Sequence, residues 1–270
     1  MRRHLFALVA SLSLSGALNA QQASWTTAPT LPSEGHWVLR QTATLGRHEP
    51  FPGARRRSTM LSSRLSYGLD GERAVFIDLP VRGVGRRRGP SLGDVALGWK
   101  WRFRSENTGP VDTTRMSLSL GASLPTGADR HSADEVVPFA ELAWMNISGR
   151  LGFGTSIGLE GGGDPYQRPL WADETGEVNM RVAAAAIWRI DPVVYSDSLE
   201  AATYVCLEMI SNAEADELDG DHELLIAPGL LYEAPSFAAE ISYALPLHSD
   251  DFTSRPELDG ALLFGLRFLW

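Results

Sequence analysis

Oil-preferring and water-preferring residues alternate one by one through most of this chain. That is the period of an extended strand whose two faces meet different surroundings. Val95, Leu97, Trp99, Trp101 and Phe103 share one face of such a segment, while Asp94, Ala96, Gly98, Lys100, Arg102 and Arg104 share the other. Met116, Leu118, Leu120, Ala122 and Leu124 alternate with Ser117, Ser119, Gly121 and Ser123. Leu151, Phe153, Thr155, Ile157 and Leu159 do the same with small residues between them, and Leu262, Phe264, Leu266, Phe268 and Trp270 close the chain. A helix, turning about 100° per residue, would scatter these sets over every side.

The pattern predicts twelve strands, near 36–45, 57–67, 73–82, 93–104, 114–124, 136–147, 150–160, 177–189, 198–211, 222–233, 236–246 and 259–270. Connections after the odd strands are long: 46–56, 83–92, 125–135, 161–176, 212–221 and 247–258. Those after the even strands are mostly short, such as 68–72, 148–149 and 234–235, with 105–113 the clearest exception. Transmembrane barrels are built this way, and an even strand count brings both termini to the short-turn, periplasmic side. The competing arrangement is a soluble β-sandwich or lipocalin-like barrel with a greasy interior. Aromatic residues near the strand ends (Trp37, Tyr67, Trp101, Trp144, Trp188, Tyr232, Phe268, Trp270) argue for oil outside, as does the mixture of small and charged residues on the other face.

Arg2, Arg3 and His4 precede a short apolar run from Leu5 to Leu14 and small residues through Ala20, the layout of a secretory signal peptide. Cleavage is expected after Ala17 or Ala20, with Ala20 favoured. Beyond it no apolar run approaches the roughly 20 residues that a spanning helix needs. The expected organisation is a signal peptide over 1–20, a periplasmic N-terminal segment over 21–35, and an all-β, single antiparallel transmembrane β-barrel over 36–270. The location implied is the bacterial outer membrane.

Composition adjusts this picture in three ways. The mean hydropathy of -0.11 looks soluble, but a barrel averaging a lipid face and a water face also lands near zero. The single cysteine, Cys206, excludes an intrachain disulfide and thiolate metal clusters, and reads as a small hydrophobe on a strand. Charge is polarised: between 191 and 260 sixteen acids face only Arg255, whereas basic residues dominate up to about residue 115.

With apolar residues toward lipid, the lumen receives the opposite set. The candidate pore-lining residues are Arg40, Arg64, Asp78, Asp94, Lys100, Arg102, Glu141, Arg181, Glu200, Glu208 and Glu240, with Glu160, Arg189, Glu223, Glu233 and Arg267 on the same face. Closing the last strand onto the first brings basic and acidic walls together. Opposed charges across a narrow constriction order water and handicap wholly apolar solutes while admitting small polar or amphipathic ones. The alternative is that these charges pair off and fill a closed barrel.

Two arginine triplets, Arg55-Arg56-Arg57 and Arg86-Arg87-Arg88, lie in or beside the first two long loops, where guanidinium forks suit lipopolysaccharide phosphates. Export and the net charge of -9 argue against nucleic acid as the partner. Enzyme chemistry finds little support. His36, His48, His131, His222 and His248 sit in no recognisable motif, and the acidic run 216–221 lacks the spacing of a calcium loop. No catalytic residue, metal site or cofactor is expected.

Several phrases resemble the outer-membrane family named for the meta-pathway of phenol degradation. They are Leu31-Pro with Gly35-His-Trp37, Tyr67-Gly-Leu-Asp-Gly-Glu-Arg73, Ile77-Asp-Leu-Pro80, Leu92 through Phe103, and Leu118 through Gly127. The most specific pieces are Gly93-Asp94 opening a strand that leads to Lys100, and Leu124-Pro-Thr-Gly127 closing the next. The resemblance covers residues 31–127, with only strand rhythm and Leu245-Pro246 continuing beyond. It implies a barrel of this size and a channel role for small, often aromatic, compounds, and supplies no catalytic residue. Trp270, ending an alternating aromatic strand, also resembles the C-terminal signal read by the barrel-assembly machinery, although that signal usually ends in Phe.

The function these features favour is a channel for passive diffusion of small solutes through a charged lumen. A closed structural or surface-interaction barrel, binding lipopolysaccharide or a partner through its long loops, is the second reading. A lipid-modifying enzyme, needing a Ser–His contact at the outer rim, is the third.

Overall fold

The computed structural model describes residues 22–49, 56–84, 90–109, 111–128, 131–161, 178–194, 201–214, 222–249 and 257–270. Its strands are β1 (Trp37–Glu49), β2 (Arg56–Gly68), β3 (Arg73–Val84), the two-residue β4 (Ser91–Leu92), β5 (Val95–Asn107), β6 (Thr113–Leu124), β7 (Val137–Ser148), β8 (Leu151–Gly161), β9 (Val178–Asp191), β10 (Ala202–Glu214), β11 (His222–Glu233), β12 (Phe237–Ser249) and β13 (Glu257–Leu269). Consecutive long strands pair antiparallel, and β1 joins β13, so the sheet closes into a barrel without a free edge. At the seam the Trp37 and Trp270 backbones exchange hydrogen bonds of 2.8 and 3.1 Å.

β4 and β5 behave as one strand interrupted at Gly93 and Asp94. Asp78 pairs with Ala96 below the break and Val81 with Leu92 above it. Pro80, which has no N–H to give, faces the interruption, and its carbonyl accepts the Gly93 N–H at 2.8 Å. This bulge re-aims Asp94 toward the β6–β7 connection.

Twelve long strands lie close to the predicted ranges. β1 runs on to Glu49 and β5 to Asn107, through Arg47, His48, Ser105 and Glu106, where the alternation in sequence has already faded. Ladder hydrogen bonds to β2, β13 and β6 carry the strand past that point. β10 is described from Ala202, and positions 198–200 of the expected strand lie outside the described residues.

Sidedness is plainest along β10. Ala202, Tyr204, Cys206, Glu208 and Ile210 are buried, whereas Val205, Leu207 and Met209 are 40, 49 and 46% exposed. The oil-preferring set is therefore outside. The same holds for Leu151, Phe153, Ile157 and Leu159 on β8 and Phe264, Leu266 and Phe268 on β13. Such a closed barrel with an apolar outer band has only the bilayer to meet, which places the protein in the outer membrane. The expected aromatic girdle gathers in the short-turn half of the strands, where Trp37 and Tyr67 rings lie 4.6 Å apart and Tyr232 and Phe237 rings 5.8 Å.

Short turns are held by side chains. Between β2 and β3, Asp70 accepts the N–H groups of Glu72 and Arg73 at 2.8 Å each, and the Arg73 guanidinium holds its carboxyl below the usual carboxylate range. On the inner face of β5 and β6, Gly98 and Gly121 leave room for two rings. A Cβ on Gly98 would sit 2.2 Å from the Phe76 ring, and one on Gly121 would sit 2.3 Å from the Phe139 ring. These rings, 6.2 Å apart, line one wall, with the Arg64 guanidinium 4.5 Å above Phe76.

Candidate functional site: the lumen and its occupant

Eight strands make a barrel that inward side chains just fill, and diameter grows with strand number. A barrel of twelve therefore needs something more in its interior. Here that filler is the chain itself. Residues 21–35 were expected on the periplasmic side; the described part of that segment instead turns in at the short-turn rim and runs up inside the barrel. Gly35 donates to the Gly68 carbonyl at 2.9 Å at the rim, and Leu31, Pro29 and Ala28 are already buried.

Lumen charges take hold of this segment by its backbone. Lys100 donates through Nζ to the Ala28 carbonyl, Arg181 through Nη2 to the Trp25 carbonyl at 3.0 Å, and Arg40 through Nη2 to the Ser24 carbonyl at 2.9 Å. Arg267 reaches the Gln22 side-chain oxygen at 3.1 Å. These contacts explain why the segment enters: charges withdrawn from water need partners, and an unpaired stretch of chain supplies both carbonyls and amides.

The strongest hold is at Glu208, midway along β10 and fully buried. Its Oε1 accepts the Ser24 N–H at 3.0 Å, and its Oε2 accepts those of Trp25 at 2.9 Å and Thr26 at 2.7 Å. Three consecutive amides converging on one carboxylate form an anion-binding nest, and bonds to a charged acceptor are about twice as strong as neutral ones. Thr27 adds a longer contact, its N–H to Ser156 Oγ at 3.4 Å.

The inner face is not uniformly small and polar, as its sequence pattern had suggested. Ala23 packs among inward-facing Ala185, Ile187, Ala202, Tyr204, Cys206, Leu231 and Ala238, and Ala28 packs against Met145 and Ile147. These apolar patches exist because the segment covers them. Cys206 is the small hydrophobe anticipated. Between Ala23, Thr26–Ala28 and the β7–β9 wall remains a cavity of about 10 Å³, roughly one water molecule.

Of the candidate lumen residues, Arg40 and Glu240 meet as basic and acidic walls were expected to, at 2.8 Å across β13, where Gly265 leaves space for the carboxylate. Arg267 and Glu233 pair at 2.9 Å. Lys100, Ser119 and Glu141 occupy one rung across β5, β6 and β7. Others differ from the expected arrangement. Arg64 does not face the acidic wall but pairs with Asp78 on the neighbouring strand, Nε to Oδ2 at 2.9 Å, because the β2–β3 register sets the two directly opposite. Arg102 turns to the Gly71 carbonyl at the short-turn rim. Glu200 lies outside the described residues.

Asp94 is buried and committed to a loop. Its Oδ1 accepts the N–H groups of Thr126 at 3.1 Å and Gly127 at 2.9 Å, and its Oδ2 that of Ala133 at 2.7 Å. The two most specific sequence pieces, Gly93-Asp94 and Leu124-Pro-Thr-Gly127, are thus two halves of one latch fastening the β6–β7 connection. Spacing showed the pieces; only the bulge at Gly93 shows that they meet.

At the long-loop rim Arg57 is exposed and lies opposite Arg47, which pairs with Asp259 at 3.0 Å. Arg56 belongs to β2, while Arg55, Arg86, Arg87 and Arg88 lie outside the described residues. Ser–His contacts occur in this region, Ser211 to His222 at 2.9 Å and Ser58 to His48 at 2.8 Å. Acyl transfer needs the histidine oriented by a third group. Beside the Ser211–His222 pair the His248 ring lies 6.1 Å from that of His222. Among the described residues no group of metal-ligating side chains gathers.

No family model and no curated protein sequence matches the chain. Solved structures do. The COG4313 outer membrane channel from Pseudomonas putida F1 superposes with a TM-score of 0.58 at 11% identity, over 93% of this chain and all of that one. The β domain of the Bordetella autotransporter Brka follows with a TM-score of 0.46 at 10% identity, over 88% of this chain and all of that domain. At 11% identity the likeness to the P. putida channel is one of fold: the architecture is that of a single outer-membrane β-barrel.

Proposed function

We propose that this protein is an outer-membrane channel for passive diffusion of small polar or amphipathic solutes, and that residues 22–33 are its gate. The observation that carries the reading is how the segment is held. Apart from the bridge of Glu34 to Gly68 at the rim, it joins no strand; it is fastened by individual hydrogen bonds to lumen side chains. Neither these bonds nor the apolar contacts of Ala23, Trp25 and Ala28 belong to the ladders between strands, so the segment can leave without opening the barrel. The lumen it uncovers carries Arg40, Lys100, Arg181, Glu141, Glu208 and Glu240, a charged constriction that favours hydrated solutes over oil. The P. putida fold relative, an outer membrane channel, points the same way. The resemblance to the phenol meta-pathway family extends the reading to small aromatic compounds.

In this reading the long loops face outward. Arg55, Arg56 and Arg57 with Arg86, Arg87 and Arg88 contact lipopolysaccharide, and β13 with its terminal Trp270 is presented to the barrel-assembly machinery. The second reading, a permanently closed structural or surface-interaction barrel, draws on the same occupied lumen. Planar-bilayer recordings of the full chain and of a chain lacking residues 22–33 separate them. The channel reading expects stepwise conductance from the shortened chain and rare openings from the full one. Silence from both, with the barrel correctly assembled, refutes the channel and leaves the closed barrel.

A further inference from the structure

Trp25 is the sole aromatic residue of the segment between Gln22 and Glu34, and it sits at the segment's deepest reach into the barrel. Its ring packs on a wall of buried Ala183, Ile210, Leu225, Ala227, Ala244 and Ala261, with Leu258 beside it. Four of these residues are alanines, whose short side chains leave a recess that the Trp25 ring occupies. All of these residues lie in the long-loop half of their strands.

One polar group is set into the recess. Trp25 donates through Nε1 to Ser242 Oγ at 3.1 Å, and the buried Ser242 hydroxyl donates in turn to the Pro228 carbonyl at 3.1 Å. That carbonyl is available because the β11–β12 ladder is interrupted here: Ile226 pairs with Leu245, and pairing resumes only at Gly229 and Ser242. With its hydrogen committed to Pro228, Ser242 presents only lone pairs to the recess. The seat therefore takes a flat apolar ring and requires a donor on its edge.

We infer that the Trp25 seat is a binding site for small planar aromatic solutes bearing an N–H or O–H donor, held in the resting state by the chain's own indole. The inference rests on the gating reading and adds a trigger to it. The backbone of Trp25 belongs to the nest on Glu208, flanked by Ser24 and Thr26. A solute that takes the seat displaces the residue at the centre of the segment's strongest hold, so occupancy and opening are coupled.

The test is calorimetric binding of indole and of naphthalene to the assembled full-length barrel in detergent. Wild-type protein, its seat filled, is the blank. Trp25→Ala is expected to bind indole above that blank, with naphthalene about fivefold weaker, the worth of one neutral hydrogen bond. Adding Ser242→Ala to Trp25→Ala should bring indole down to the level of naphthalene. Adding Ala244→Leu, which fills the recess, should abolish binding of both; if that variant does not assemble, the serine comparison still decides. Indole uptake by Trp25→Ala no greater than wild type, or equal affinity for the two rings, overturns the inference. Conductance is measured separately. A conducting chain without residues 22–33 whose Trp25→Ala counterpart ignores indole keeps the gate and loses the seat. A silent shortened chain with donor-selective binding keeps the seat and loses the channel.

Discussion

Replacing Glu208 with glutamine changes one oxygen to an NH2 group and removes a charge from the middle of the lumen. The carboxylate accepts three backbone N–H groups at 3.0, 2.9 and 2.7 Å. Hydrogen bonds to a charged group contribute about 1.5–3 kcal/mol each, but not additively, and neutralising a fully buried carboxylate returns part of its dehydration cost. Glutamine keeps one accepting oxygen and points new donors at an amide that is itself a donor. A net loss of about 3 kcal/mol follows, which is about 150-fold in the ratio of held to released segment. Arg40, Lys100 and Arg181 still grip carbonyls, so the segment visits its released state more often without abandoning the lumen. Single-channel recording reads this directly: Glu208→Gln should raise the open fraction by about two powers of ten over the full chain at unchanged step size. An open fraction equal to wild type, in a protein whose shortened form conducts, would show that the nest on Glu208 does not hold the gate.

Neighbouring residues should behave oppositely according to the face they occupy. Leu207→Arg, one position from Glu208 but lipid-exposed, should destabilise the barrel by about 2–4 kcal/mol in vesicle-based urea titrations, and full stability would mean that Leu207 is not in the bilayer. Asp94→Ala removes the acceptor for Thr126, Gly127 and Ala133, so protease should cleave within 125–135 at least about tenfold faster while the strands stay resistant. An unchanged cleavage rate would show that the loop is held by other contacts. In the chain lacking residues 22–33, Lys100→Glu with Arg102→Glu should move the reversal potential in a salt gradient toward cation selectivity. A reversal potential that stays put would place both side chains away from the ion path.

The barrel was legible because each strand carries its own sidedness. Leu207 and Glu208 are adjacent in sequence and meet lipid and lumen respectively, and that contrast, repeated strand after strand, defines period, face and count together. Strand ends were less legible, since Arg47, His48 and Glu106 extend through ladder bonds that no alternation announces. Pairing inside the lumen depended on register: Arg64 meets Asp78 because β2 and β3 set them opposite, which composition of the two walls could not reveal. The segment was the least legible part. Ala23 through Thr30 has neither period, and its path is dictated by partners scattered over β1, β5, β8, β9, β10, β12 and β13. A faint sign was present, an isolated acid, Glu208, among inward Tyr204, Cys206 and Ile210, with nothing on its own strand to pair with.

The most direct measurement locks the segment in place. Thr27→Cys and Ser156→Cys, which stand where the Thr27 N–H meets Ser156 Oγ at 3.4 Å, are joined or freed by oxidation in a Glu208→Gln chain whose Cys206 is replaced by alanine. The account predicts a silent barrel when the pair is oxidised and stepwise conductance when it is reduced. Equal conductance in the two states would mean that solutes pass without the segment moving, and that residues 22–33 are a fixture of the barrel and not its gate.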